Sequence, residues 1–410
     1  MKHYVIVGNG TAAAGCIEGI RSRDPSGTVT VISEERHPVY CRPLISYLLE
    51  GKTQISRMGY RSGDFYERMD CTVLYGRRAV RIHPDEKQVG LDDGTAVPYS
   101  ELCLAAGSAP FVPPFEGLES VRNAYSFMTL DDALRLDKAL RPDSRVLIMG
   151  AGLIGLKCAE GIAARAGSVT VCDLADRVLS SILDAESAAM MQKHLEAHGI
   201  RFFLKDSAVR FGENTAVMRS GAVIPFDLLV LAVGVRPNAA LMREIGGGIG
   251  RGILVDGQMK TSVEHIFAAG DCTESFDLSS GQQRVMAILP NAYLQGHAAG
   301  VNMAGGCETF DRAIPMNSIG FFGLHAMTAG SCEGTCYEEK TDGTLKRLFQ
   351  KDGLLKGFLL IGCGERAGIY TSMIREQIPL SSVDFDSLKK CAATAAFSAE
   401  LRRKMFGGVV

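Results

Sequence analysis

The sequence has no apolar run long enough to cross a membrane. Its longest apolar stretches, such as Leu228–Val233, fall far short of the roughly 20 residues that a spanning helix needs. Met1–His3 lead straight into a predicted strand, so we expect no signal peptide. Because twelve cysteines occur without a secretion signal, we expect reduced thiols and a cytoplasmic protein.

Neither sign of charge is in excess, and clusters typical of hydrolases or metal proteins are missing. The 44 basic residues nearly balance the 46 acidic ones, for a formal net charge of −2. This balance excludes the basic surface that nucleic acid or an acidic membrane would require. The histidines suggest no catalytic triad. No metal site is expected either, because no standard zinc or iron–sulfur spacing fits Cys307, Cys332, Cys336 and Cys363.

A dinucleotide-binding unit occupies the middle of the chain, which at 410 residues has room for two or three domains. A predicted strand at 146–149 precedes a G-x-G-x-x-G motif formed by Gly150, Gly152 and Gly155. The glycines allow a tight turn, close approach of a pyrophosphate, and close packing of the following helix on the strand. That helix directs its free N–H groups at the phosphates. A second strand ends at Asp173, whose carboxylate can bind ribose hydroxyls.

A sister unit begins at the N-terminus. Gly8, Gly10 and Ala13 form a G-x-G-x-x-A variant between a strand and a helix, and Glu34 and Glu35 follow the next strand. Glu34 stands where a ribose-binding acid is expected, and Glu35 is next to it. Two complete units in one chain predict two different nucleotides, of which the usual pair is FAD and a nicotinamide dinucleotide.

Together with the two units, five further motifs resemble, in their order, the FAD-dependent pyridine nucleotide–disulfide oxidoreductase superfamily. They are LAAGS, GVRPN, GILVD, AAGDC and IPMNSIGFFGL. The sequence is most similar to NADH:rubredoxin reductases and to the flavin part of NADH nitrite reductase large subunits. The resemblance implies an α/β fold with two doubly wound, Rossmann-like domains, the FAD domain being split around the NAD domain, and a small α+β C-terminal interface domain. We place the FAD domain at 1–113 and 246–310, the NAD domain at 114–245 and the interface domain at 311–410, with an amphipathic helix over the tail 388–410.

The resemblance also assigns contacts residue by residue. For FAD it implies Gly8, Gly10, Ala13, Glu34, Glu35, Arg42, Pro43, Val80, Ala106, Gly107, Gly270, Asp271 and Phe322. Phe321 is an alternative to Phe322 for closing one side of the flavin, and plain core packing of both rings is equally open. For the nicotinamide dinucleotide it implies Gly150, Gly152, Gly155, Asp173 and Gly234. No basic residue directly follows Asp173, which favours NADH over NADPH, although Arg177 is not far away.

One departure from the family concerns thiols. The chain has no C-x4-C pair, and Pro43 occupies the loop position where some relatives carry a single redox cysteine. Cys41 lies two residues earlier, where Arg42 could lower its pKa. A buried thiol without a redox role is the alternative. The sequence therefore disfavours a disulfide reductase.

The second departure concerns the expected glutamate near the nicotinamide. Lys157 occupies that position, and Arg42 occupies the position of its usual lysine partner. Glu160 lies on the same helix face as Lys157 and could pair with it or reach the nicotinamide. A surface ion pair is the alternative. Arg42, Lys157 and Glu160 are therefore the catalytic candidates, and we expect Lys157→Glu to change the rate of flavin reduction by NADH.

The sequence predicts an NADH-dependent flavoprotein that passes electrons through FAD to a small redox protein of the rubredoxin or ferredoxin type, or to an iron–sulfur partner subunit. One alternative is an NADH oxidase or peroxidase acting on oxygen or peroxide, with a sulfenate at Cys41. Another is an FAD electron-transfer subunit within a larger oxidoreductase complex. The acceptor, and the choice between a homodimer and a subunit of a complex, stay open.

Overall fold

The computed structural model describes the backbone of residues 1–406 and the side chains of residues 1–403. Up to residue 113 the elements are β1 (His3–Val7), α1 (Thr11–Arg21), β2 (Thr28–Ser33), α2 (Ile45–Leu49), α3 (Phe65–Arg68), β3 (Cys71–Tyr75), β4 (Ala79–His83), β5 (Gln88–Leu91), β6 (Ala96–Pro98), β7 (Glu101–Leu104) and β8 (Ser108–Pro110). Up to residue 245 they are β9 (Ala124–Ser126), α4 (Leu130–Ala139), β10 (Arg145–Met149), α5 (Leu153–Ala163), β11 (Ser168–Asp173), α6 (Ala185–Ala197), β12 (Ile200–Leu204), β13 (Ala208–Gly212), β14 (Thr215–Met218), β15 (Val223–Pro225), β16 (Leu228–Leu231), β17 (Val235–Pro237) and α7 (Ala240–Glu244).

The remaining elements complete the first domain and form the C-terminal one. Up to residue 310 they are β18 (Ile253–Leu254), β19 (Ile266–Ala268), β20 (Thr273–Asp277), β21 (Gln282–Val285) and α8 (Leu289–Met303). Beyond it they are β22 (Met316–Phe321), β23 (Leu324–Gly330), β24 (Thr335–Thr341), β25 (Thr344–Lys351), β26 (Leu354–Ile361), α9 (Ala367–Arg375), α10 (Phe385–Lys390) and α11 (Ala399–Phe406).

Two parallel sheets of the same design form the nucleotide-binding domains. The first has the order β19-β7-β1-β2-β3 and the second β12-β11-β10-β16-β9. Both follow from short apolar strands separated by helical segments, a pattern that favours right-handed βαβ units. Because β19 returns from beyond the second sheet to pair with β7, the first domain is split around the second. The predicted fold class is confirmed.

Each parallel sheet carries a three-stranded antiparallel meander, β4-β5-β6 in the first domain and β13-β14-β15 in the second. In the first meander, Ile82, Val89 and Leu91 are buried as alternation predicts. By the same alternation Val80 should also point inward, but the residue is 39% exposed. The register shifts between Ala79 and Arg81, and this irregularity turns Val80 outward.

The chain crosses between the two domains through a two-stranded link. β8 on the way out pairs antiparallel with β17 on the way back. Just beyond it, α7 packs on the first domain, since Met242 shares a hydrophobic core with Ile82 and Leu91. By this packing α7 goes with the first domain, although it lies before the boundary predicted at residue 245.

Helices α1 and α8 cross at backbone contact distance. A Cβ atom on Gly19 would lie 2.2 Å from the carbonyl oxygen of His297, and one on Gly300 would lie 2.1 Å from that of Cys16. Glycine is thus required on both helices for α8 to pack against α1.

We expect Gly19→Ala to lower the free energy of unfolding by about 1–3 kcal/mol, because an extra methyl group overpacks this contact. The matched control is Gly368→Ala, since a Cβ at Gly368 in α9 meets no atom within 4 Å. Alanine there should be neutral or stabilising by up to about 1 kcal/mol. Denaturant unfolding of the two variants measures the difference, and equal effects would contradict the packing argument.

The C-terminal domain is an antiparallel sheet in the order β22-β23-β26-β25-β24. One face packs on the second nucleotide domain through Phe321, Leu345 and Phe349. The other face is covered by α9 and α10. Arg347, whose side chain is only 12% exposed, pairs with Glu338 of its own domain and with Asp184 and Glu186 of the neighbouring one. Packing and charge together fix the position of this sheet.

The tail does not form the single helix expected over 388–410. α10 ends at Lys390, and a 3-10 turn at Thr394–Ala396 separates it from α11. Residues 407–410, with which the predicted interface domain ends, lie outside the described residues. None of the helices within 1–406 is long and apolar enough to span a bilayer.

Candidate functional site

The two glycine-rich turns have matching geometry. Gly8 and Gly150 adopt φ values of +107° and +114°, and a Cβ on either would lie within 2.3 Å of a carbonyl oxygen just past the neighbouring strand. By contrast, a Cβ on Gly10 or Gly152 would meet no atom within 4 Å. Each turn is therefore held tightly against its sheet on one side and faces open space on the other. This is the cradle that a pyrophosphate needs at the N-terminus of a helix.

The acid after the second strand of each unit is also in place. The Asp173 carboxylate accepts hydrogen bonds from the N–H groups of Ala151, 2.6 Å away, and of Ala175, 2.8 Å away. It thus lies directly beside the second glycine-rich turn. In the first unit, Glu34 is exposed immediately after β2, whereas Glu35 accepts bonds from Tyr40 and Arg42 at 2.7 Å. Both carboxylate oxygens of Glu35 are thus engaged by protein donors, which makes Glu34 the more available of the two acids.

The turn at Gly270–Asp271 borders the first glycine-rich turn. A Cβ on Gly270, whose φ is +83°, would lie 2.9 Å from that of Ala12. Burial raises the pKa of the Asp271 carboxyl, and the positive charge of Arg42 opposes this rise. Among the described residues, no side chain of 1–403 and no N–H group of 1–406 donates a hydrogen bond to the Asp271 carboxylate. A carboxylate in this setting suits the hydroxyl groups of a flavin's ribityl chain, which can supply the missing donors.

Two polar residues of α8, absent from the sequence-based assignment, support this pocket. Gln295 accepts the N–H of Gly270 at 2.7 Å and so fixes the turn. Asn291 is 0% exposed, and its Oδ1 is buried without a hydrogen-bond partner in the described chain. A buried, unsatisfied acceptor in the first turn of a helix indicates a missing donor. The amides of this helix, Asn291, Gln295 and Asn302, point to no cofactor until the fold is known.

Arg42 lies in a loop that is bound to both nucleotide domains. Its guanidinium donates to Glu35 at 2.7 Å and to the carbonyl of Met128 at 2.9 Å. Tyr40 accepts the N–H of Leu130 at 2.9 Å. The loop is therefore anchored at the start of α4 in the second domain. Pro43 follows Arg42 on the exposed side of this loop.

Cys41 has none of the features of an activated thiol. Burial raises the pKa of Cys41, whereas the sequence suggested that Arg42 would lower it. The correction has a simple cause, because the Arg42 guanidinium is bound to Glu35 and Met128 instead. At ordinary pH the thiol stays protonated and is a poor nucleophile.

Lys157 and Glu160 form a buried ion pair at the junction of three domains. Their side chains are only 15% and 5% exposed, so the surface-pair interpretation is wrong. Lys157 lies 4.7 Å from the ring centroid of Tyr47 in α2 and donates to the carbonyl of Gly320 at 3.2 Å. The second Glu160 oxygen accepts the N–H of Phe322 at 2.6 Å. Since both oxygens are engaged by protein donors, the geometry makes this pair a clamp between α5 and the C-terminal domain.

The Lys157→Glu change suggested by the sequence is therefore a poor probe. It would place two carboxylates side by side at this buried junction and disrupt it by repulsion. Any change in the rate of flavin reduction would then have a structural cause. Lys157→Met combined with Glu160→Leu, which removes both charges and keeps apolar packing against Tyr47, is the better variant.

Phe321 and Phe322 are used for packing. Phe321 is 0% exposed in the core shared with the second domain. The ring of Phe322 stacks on His198, with centroids 4.4 Å apart and planes at 8°, so its expected flavin contact is not supported. His194, four residues before His198, donates to the carbonyl of Phe321 at 3.0 Å. This histidine pair contacts the C-terminal domain, and among the residues described no cluster of three potential metal ligands occurs.

The residues assigned from the sequence just before β8 and β17, the two strands that link the nucleotide domains, lie close together. Asn238 donates to the carbonyl of Ala106 at 2.8 Å and to that of Gly107 at 3.0 Å. Gly107 and Gly234 have positive φ values of +65° and +123°, and neither would bring a Cβ within 4 Å of another atom. Open backbone thus borders the passage from one nucleotide domain to the other.

Comparisons with known proteins agree with this geometry. The family model described as pyridine nucleotide-disulphide oxidoreductase matches residues 2–296. The epsilon subunit of NADH-dependent phenylglyoxylate dehydrogenase from Aromatoleum evansii is 32% identical over 391 residues, 92% of each chain. The NAD(P)H nitrite reductase of Bacillus subtilis is 29% identical over 93% of this chain, which spans only 48% of that relative's length.

Among solved structures, putidaredoxin reductase in its covalent complex with putidaredoxin superposes with a TM-score of 0.87 at 23% identity, over 96% of this chain and 99% of that one. At this identity the likeness concerns the fold. The matched family model and the full-length relative above 30% identity go further. The chain belongs to the pyridine nucleotide-disulphide oxidoreductase family and is a flavoprotein oxidoreductase that works with FAD and a nicotinamide dinucleotide.

Proposed function

We propose that this protein takes electrons from NADH and passes them through FAD to an iron–sulfur acceptor, either a small carrier of the rubredoxin or ferredoxin type or a partner subunit. The observation that carries the proposal is the state of the loop after the first glycine-rich turn. Its one thiol, Cys41, has a raised pKa and no activating neighbour. Electrons thus have no poised thiol acceptor on this loop and must leave the protein.

A full-length similarity supports the partner-subunit form of this proposal. The Aromatoleum evansii relative is named as one subunit of a dehydrogenase, and it matches this chain over 92% of both lengths. A flavoprotein that works inside such a complex needs no thiol of its own, because its partner supplies the next redox centre. A cytoplasmic location fits the same proposal, since all twelve cysteines are free thiols, as a reducing compartment favours.

The residues proposed to hold FAD are those of the first glycine-rich turn and the Asp271 pocket. They are Gly8, Gly10, Ala13, Glu34, Arg42, Pro43, Val80, Ala106, Gly107, Gly270 and Asp271, with Asn291 added. The exposed side chain of Val80 is available to pack against an adenine. When bound, FAD accepts a hydride from a nicotinamide and releases electrons singly or in pairs.

NADH is proposed to bind at Gly150, Gly152, Gly155, Asp173 and Gly234. Asp173 offers its carboxylate to the ribose while remaining bonded to Ala151. Arg42 is proposed to act by its charge beside Asp271. Lys157 and Glu160 are proposed as positioning residues, which hold α5, and hence the second glycine-rich turn, against the other two domains.

Rapid mixing of the purified holoprotein with NADH under anaerobic conditions tests the proposal. We expect NADH to bleach the flavin, and reduced rubredoxin- or ferredoxin-type carriers to accumulate when the oxidised carriers are added. Reoxidation by the carrier should be at least about tenfold faster than by oxygen, a difference of about 1.4 kcal/mol in barrier. Absent bleaching would reject the proposal, and equally fast reoxidation by oxygen would favour the oxidase.

A further inference from the structure

A loop from Asp173 to Leu179 closes over the second glycine-rich turn. Asp173 accepts the N–H groups of Ala151 and Ala175, and Leu179 donates its own N–H to the carbonyl of Ala151 at 2.9 Å. Both ends of the loop are thus bonded to the residue between the first two glycines of the motif. Side chains on this loop lie beside the ribose position that Asp173 marks.

Arg177, the cation on this loop, is held by its neighbours. Its Nη1 donates to the carboxylate of Asp176 at 2.7 Å, and its Nε donates to the carbonyl of Leu183 at 3.2 Å. The side chain is 34% exposed and that of Asp176 is 52% exposed. A guanidinium bound in this way has fewer free N–H groups to offer a phosphate.

These contacts bear on the choice between NADH and NADPH, which differ only by a phosphate on the ribose 2′ position. A free ribose 2′-hydroxyl needs an acceptor such as the Asp173 carboxylate, whereas a 2′-phosphate needs a nearby cation such as arginine. The loop carries both residue types, but Arg177 is paired with Asp176, whereas the Asp173 carboxylate has no cationic partner among the described residues. Asp176 neutralises the arginine that could otherwise compensate a 2′-phosphate.

We propose that Asp176 is a second determinant of coenzyme choice, which acts by withholding Arg177 from the ribose 2′ position. The proposal rests on the proposed use of NADH and adds to the role of Asp173. Asp176 is a positioning residue, because it acts through Arg177 and does not itself touch the coenzyme. In this proposal, Arg177 becomes available to a 2′-phosphate only when the charge of Asp176 is removed.

The test is Asp176→Asn, which keeps the size of the side chain and removes its charge. We expect kcat/KM for flavin reduction by NADPH to rise about tenfold, the value of one charge-assisted hydrogen bond. The value for NADH should change less than about twofold, because Asp173 is untouched. Binding of 2′-phosphoadenosine diphosphate ribose, measured by calorimetry, should tighten in parallel and needs no turnover.

Further variants identify the cation. Adding Arg177→Ala to Asp176→Asn should abolish the gain. Adding Lys205→Ala should leave it intact, although the backbone N–H of Lys205 donates to the carbonyl of Ala175 at 2.9 Å. If Lys205→Ala abolishes the gain and Arg177→Ala does not, the assignment of Arg177 is wrong.

The matched control is Asp64→Asn, which removes an ion pair with Arg68 of similar exposure, 55% and 57%, in the first domain. This control should change kcat/KM for neither NADH nor NADPH. If kcat/KM for NADPH is unchanged in Asp176→Asn while NADH still bleaches the flavin, this inference is wrong but the proposed function stands. If NADH fails to bleach the flavin of the unmodified protein, the proposed function itself has failed.

Discussion

An Asp271→Ala variant is expected to fold normally and to purify with most of its flavin missing. The carboxylate lies at the turn beside the first glycine-rich motif and has no donor within the described chain, so the flavin's hydroxyls are its natural partners. Hydrogen bonds to a charged group contribute about 1.5–3 kcal/mol each. Losing about 3 kcal/mol raises the dissociation constant of FAD roughly a hundredfold. The ratio of flavin to protein absorbance and titration of the apoprotein with FAD measure the loss.

The stability of the flavin-free protein separates this role from a structural one. Burial raises the pKa of Asp271, which means that its charged form is disfavoured in the folded chain. Removing it should therefore leave the apoprotein as stable as before or more so, while FAD affinity falls. The exposed Asp311, replaced by asparagine, should change neither quantity. Full flavin content in Asp271→Ala would refute the assignment.

Breaking the buried ion pair should have the largest effect on stability. In Glu160→Leu, the Lys157 ammonium would remain buried without its partner, and the N–H of Phe322 would lose its acceptor. Removing one partner of a buried pair costs about 3–5 kcal/mol. We expect the free energy of unfolding obtained from the first denaturant transition of the holoprotein to fall by that amount. Flavin reduction by NADH should also slow, because the clamp on α5 is lost.

A double variant shows whether the charge is responsible. Lys157→Met combined with Glu160→Leu replaces the pair by apolar side chains and should recover most of the stability. Lys389→Met is the control, because it removes an (i, i+3) pair with Asp386, which is 89% exposed, and should cost less than about 1 kcal/mol. If Glu160→Leu costs no more than this control, the clamp contributes nothing.

The nucleotide-binding units could be predicted from the sequence because their determinants are local. A glycine motif between an apolar strand and a helix, followed by an acid at the end of the next strand, is specified within about 30 residues. The positions of Gly8, Gly150 and Asp173 follow from that pattern. Which unit binds FAD and which binds the nicotinamide dinucleotide is implied by the family resemblance.

Contacts made across domains could not be predicted in this way. The sequence leaves open whether Glu160 lies at the surface or near the nicotinamide, whereas in the fold it accepts the N–H of Phe322, far along the chain. Phe322 in turn lies against His198 because the C-terminal sheet packs on α6. The exposure of Val80 depends on a strand irregularity that simple alternation does not contain. Each of these features is decided by tertiary packing, which overrides local pattern.

The paired crossovers have a consequence for how this protein could be built and rebuilt. Since β8 and β17 are hydrogen-bonded neighbours, the chain enters and leaves the second nucleotide domain at almost the same point. An insertion with adjacent ends leaves the host domain intact. The second nucleotide domain is thus a replaceable insertion. The corresponding domain of a relative could be grafted between β8 and β17 without disrupting the first domain.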